Sequence, residues 1–101
     1  MTTVLDASAL LVLLNDEPRV ETVRQALSDA AISAVNLSEV VAKLVDAGAP
    51  ELEILELLQA IEAEVGPFDE DQAYSAGLLR SVTGAHGLSL GDRACLALAR
   101  R

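Results

Sequence analysis

Cationic side chains are scarce in this chain. Seven Lys and Arg stand against sixteen Asp and Glu, giving a formal net charge of −9 and a sequence pI near 4.3. A surface of that sign repels nucleic acid, anionic membranes and other anions unless something local reverses it. A basic protein partner or bound cations would do so. Aromatic residues are scarcer still: Phe68 and Tyr74 are the whole set. Two rings do not make a platform on which successive bases of a single strand stack. The one cysteine, Cys95, excludes a disulfide framework within the chain and fits a reducing compartment, with the cytoplasm as the default. No apolar run reaches the roughly 18 residues that a bilayer span needs. Stretch 7–14 is too short and no basic residue precedes it, so neither a membrane segment nor a signal peptide is expected.

What the chain does contain is apolar material in blocks. Hydrophobic residues are 51% of 101, which excludes a disordered chain and suggests one domain spanning 1–101. Thr3, Val4 and Leu5 form a short β-prone run. Residues 8–14 are apolar nearly all round, the pattern of a fully buried helix or strand. Asn15 to Pro18 break that segment; Pro18 can open a helix, and Val20, Val23 and Leu27 repeat at helical spacing. Residues 31–35 read as a second strand. Asn36 is a good N-cap for a helix with Leu37, Val40, Val41, Leu44 and Val45 on one stripe, and Gly48 suits its stop. Pro50 restarts a helix with Leu52, Leu55 and Leu58 in line and an acidic opposite face. Residues 64–68 are a weak third strand. Asp69 with Gln72, and Ser89 with Asp92, have capping-box spacing. The first opens a helix with Ala73, Ala76 and Leu79 inward; the second opens the apolar helix 94–99. Strands alternating with helices in this way predict an α/β fold with a parallel sheet.

In a parallel sheet, the loops that follow the strands gather at the carboxyl ends, where ligands bind. Asp6 follows the first strand. Glu39 is in the first turn of the helix after the second strand, and Asp92 is in the first turn of the last helix. If all three face one cleft, their mutual repulsion is relieved by protonation or by a metal ion. Oxygen donors without histidine favour Mg²⁺ or Mn²⁺ over zinc. A hard ion held this way can bridge to phosphate oxygens and activate water. It also answers the objection of the acidic surface. The same spacing admits a plainer reading. Glu39 and Asp92 each follow a cap candidate by three residues and would stabilise a helix N-terminus by roughly 0.3–1 kcal/mol, while Asp6 would cap the helix that starts at Ala7.

The segments VLDASALLVLL, ISAVNLSEVVAKL, PFDEDQAYSAGLLR and GLSLGDRACLALA, in this order, resemble PIN domains, and in particular VapC-type toxins. The resemblance implies a PIN-like three-layer α/β fold with a central parallel sheet. It implies that Asp6, Glu39 and Asp92 bind Mg²⁺ or Mn²⁺ and that the site cleaves RNA. Ser8, in the DAS segment, matches a hydroxyl residue supporting the first aspartate or the metal shell. The partners it implies are an RNA substrate and a cognate antitoxin carrying a basic segment, in a type II toxin–antitoxin pair. PIN domains continue past this last helix into a fourth strand beside the first, commonly with another aspartate. The chain stops at Arg101, so the expectation is a domain incomplete at its C-terminus, with the first strand uncovered and a homodimer as one remedy. Two functions follow: a metal-dependent endoribonuclease, or a non-catalytic module that binds an antitoxin or itself. A carrier protein with a phosphopantetheine arm is disfavoured, because no Asp-Ser-Leu triplet is present.

Other residues carry less. Arg93, beside Asp92, is a candidate phosphate contact or an ordinary ion-pair partner. His86 has no second His or Cys at ligand spacing. Cys95 reads as a small buried hydrophobe, and Glu51, Glu53, Glu56, Glu62 and Glu64 as a solvated face.

Overall fold

The computed structural model describes residues 3–14, 25, 27–83 and 87–101. The expected break and helix start at Asn15 to Pro18, with Val20, Val23 and His86, lie outside the described residues. The elements are β1 (Thr3–Leu5), α1 (Ala7–Leu14), β2 (Ala30–Ser33), α2 (Ala34–Asp46), α3 (Glu51–Ala60), β3 (Glu64–Gly66), α4 (Glu70–Thr83) and α5 (Leu90–Ala99). The strands form one parallel sheet in the order β1-β2-β3, with Leu5, Ile32 and Val65 in register across it.

All four residues of β2 are buried. Successive side chains of a strand point to opposite faces, so the middle of the sheet is covered on both sides, the condition of a parallel sheet between helical layers. On one side Leu5, Ala30 and Ile32 join Leu10 of α1, Val40 of α2, Leu27 and Ala63 in the main core. Helix α5 packs on β1 and β2 and against α2 and α4, burying Gly91, Ala94, Ala97 and Leu98. Leu98 comes so close to β3 that a Cβ built on Gly66 would lie 2.7 Å from its Cδ1; any larger residue there would force the Leu98 side chain to shift.

The elements match the expected order, but several faces differ. Strand β2 ends at Ser33 rather than at residue 35, because Ser33 is the N-cap of α2: its side chain accepts from the Val35 N–H at 3.3 Å. Asn36 is therefore not the cap; it is buried inside the helix. Helix α1 is apolar all round, yet only Leu10 is fully buried and Val12 is 68% exposed, because one stripe suffices to pack it on β1 and α2. Helix α3 turns Ile54 inward and leaves Leu52 and Leu55 exposed. Of the three positions aligned by sequence, Leu52 and Leu55 face out and Leu58 is half-buried, one turn after Ile54. In α4 the inward set is Gln72, Ala76 and Leu79, while Ala73 faces out. Gly48 stops α2 as expected, with φ +87°, a value that suits glycine. The five glutamates 51, 53, 56, 62 and 64 are exposed. Among the described residues, no helix is long and apolar enough to cross a membrane.

Candidate metal centre

Two of the three acids, Asp6 and Asp92, are held by the start of a helix. Asp6 directly follows β1, and its Oδ1 accepts from the Ala9 N–H at 2.7 Å, capping α1. Asp92 closes a full capping box: its Oδ2 accepts from the Ser89 N–H at 3.1 Å, and Ser89 Oγ accepts from the Asp92 N–H at 3.1 Å. Glu39 is not tied to a helix-end N–H. Its Oε1 accepts from Asn36 Nδ2 at 3.0 Å, and its carboxylate lies over Gly91, where an added Cβ would overlap it. The second carboxylate oxygen of each acid makes no hydrogen bond among the described residues.

Asp6 and Asp92 line one shallow pocket of about 220 Å³ with Leu88, Cys95 and Leu96. Glu39 reaches α5 one residue before Asp92, through Gly91. Asp6 and Asp92 are thus brought together beside α5, and Glu39 meets the same helix at Gly91 without lining that pocket. Gly91 is buried; Asp6, Glu39 and Asp92 are exposed. No three His, Cys, Asp or Glu side chains among the described residues stand close enough to hold a metal ion between them. The fit to a divalent cation is one of donor chemistry and neighbourhood: carboxylate oxygens, each anchored through one atom and open at the other. Burial pushes the Cys95 thiol up, and the negative charges of Asp6 and then Asp92 push it further. The carboxylate oxygens of the site are donors of the kind that favour a hard ion.

The remaining candidates lie elsewhere. Ser8 is exposed in the first turn of α1 and does not line the pocket. The Arg93 guanidinium turns away from Asp92, and its Nη1 donates to the Ala76 carbonyl of α4 at 3.2 Å; it fastens α5 to α4 rather than facing a phosphate. Asn36 is the residue that sequence reasoning misplaced. It lies one turn before Val40 on the inward stripe, and that position was the available signal.

A family model for the PIN domain matches residues 3–101. No curated protein matches the chain. Among solved structures, a chain in the crystal structure of DNA-bound VapBC from Salmonella typhimurium is similar at a TM-score of 0.75 and 22% identity, over 98% of this chain and 80% of that one. At that identity the likeness speaks for the fold.

Proposed function

The chain belongs to the PIN domain family, and from that premise we propose that it is a metal-dependent endoribonuclease of the VapC type, the toxin of a type II toxin–antitoxin pair. The observation that carries this reading is the shared pocket of Asp6 and Asp92, with Glu39 seated on the adjoining Gly91. Asp6, Glu39 and Asp92 would hold Mg²⁺ or Mn²⁺. The ion, when bound, supplies charge for a phosphate oxygen and lowers the pKa of water. The protein's own contribution is orientation: two helix caps and one buried amide fix one oxygen of each acid and leave the other for the ion. Ser8 enters this reading through the motif alone. The acidic surface suits an antitoxin segment of opposite charge, and the position of β1 at the sheet edge suits a second copy.

A second reading, a non-catalytic binding module, is favoured by one observation. Each acid already has a structural partner, and no three close around an ion among the described residues. One experiment separates the two. The chain and its Asp6→Asn variant are incubated with single-stranded and hairpin RNAs in Mg²⁺ or Mn²⁺. Cleavage by the wild type that vanishes in the variant and in EDTA is the expected result. No cleavage by either protein, under any of these conditions, would leave the module.

A further inference from the structure

Asn36 is 1% exposed, and its side chain bridges two helices. Nδ2 donates to Glu39 Oε1 and to the Gly91 carbonyl, both at 3.0 Å. These two bonds use both amide hydrogens. Flipping the amide would set Oδ1 against two acceptors, so the network fixes its orientation. Oδ1 is itself buried and accepts no hydrogen bond among the described residues. A buried amide with an idle acceptor is unfavourable, and an apolar side chain would fill the space without that burden. Packing alone does not account for an asparagine here. Gly91 completes the arrangement, because the first turn of α5 meets the Glu39 carboxylate where a side chain would collide with it.

We infer that Asn36 is a positioning residue: with Gly91, it seats the Glu39 carboxylate against the first turn of α5, beside Asp92. Asn36 touches no ion itself. It ties the Glu39 carboxylate of α2 to the backbone of α5 at Gly91, the residue before Asp92, so that two helices present one ligand set. This inference rests on the metal reading above.

The test is a calorimetric Mn²⁺ titration of the full chain and of Asn36→Ala, Asn36→Ser and Gly91→Ala, with urea unfolding of each in the metal-free state. Loss of a partner that orients a ligand typically weakens metal binding about 10–100-fold. Asn36→Ala is expected in that range, with Asn36→Ser, which keeps one donor, between it and the wild type. Gly91→Ala is expected to bind Mn²⁺ about tenfold more weakly while its metal-free stability holds. Only the far end of Glu39 has to move, and alanine is the better helix former. That split is not what a merely structural role produces, and Gly91→Ala decides the matter where Asn36→Ala fails to fold. Wild-type affinity in Asn36→Ser and Gly91→Ala overturns the inference and leaves the metal reading standing. No Mn²⁺ binding by the wild type overturns both.

Discussion

Asp6 has two duties that one substitution separates. Its Oδ1 caps α1, and asparagine caps nearly as well as aspartate, whereas alanine loses about 1 kcal/mol. Asp6→Asn is therefore expected to unfold in urea within about 0.5 kcal/mol of the wild type and to lose Mn²⁺ affinity. Asp6→Ala is expected to lose both. Cys95 reports on the same neighbourhood. Its folded thiol holds its proton above the ordinary range, through burial first and then the charges of Asp6 and Asp92. Its contribution to stability is thus intact below the unfolded thiol's pKa and is lost as pH rises from there through the raised pKa of the folded thiol. Alkylation by iodoacetamide at mildly alkaline pH is expected to be slower than for a free thiol. It should be faster in Asp6→Asn than in the wild type, yet still slow, because burial remains. An unchanged rate in that variant would contradict the electrostatic part. At this scale the sequence showed the three acids, since carboxylates beside apolar runs are conspicuous. It hid Asn36, because an asparagine before an apolar stripe looks like a cap until Ser33, one turn earlier, is seen to take that role.

Order and type were legible for the elements because the blocks are short and well punctuated: Gly48 and Pro50 separate α2 from α3, and the Ser89–Asp92 box opens α5. Faces were less legible. Spacing shows that a helix has an apolar stripe, but the neighbours decide which stripe is covered. In α3, Leu52 and Leu55 lie in line, yet Ile54 is the buried residue. Ile54→Ala is expected to cost about 2–3 kcal/mol in urea unfolding, while Leu52→Ala and Leu55→Ala stay within about 0.5 kcal/mol. The reverse ranking would mean that α3 packs by its other side. In α4 the capping pattern was half right. Asp69 Oδ1 accepts from the Gln72 N–H at 3.0 Å, but the Gln72 amide does not return the bond; it reaches toward the Ala97 carbonyl of α5. Burial of position 72 drew that side chain inward.

Across the whole molecule the dominant quantity is the net charge of −9. In the proposed metal site, a bound cation would offset part of that charge. Mn²⁺ at about 100 times its Kd would stabilise the fold by about 2.7 kcal/mol, a rise in thermal midpoint on the order of 10 °C for a domain of this size. Scanning calorimetry should show that rise in the wild type, its reversal by EDTA, and little of it in Asp6→Asn.

The capping box of Asp92 and the cap formed by Asp6 have a consequence for descent. Losing either cap would loosen a helix whether or not any RNA was ever cut. A lineage with no remaining use for the chemistry would still retain a capping side chain at both places, aspartate at 92 for its box and aspartate or asparagine at 6. The survival of such caps in some distant cousin is therefore poor testimony to enzymatic competence. Glu39, which caps nothing, is the position whose loss or retention would speak.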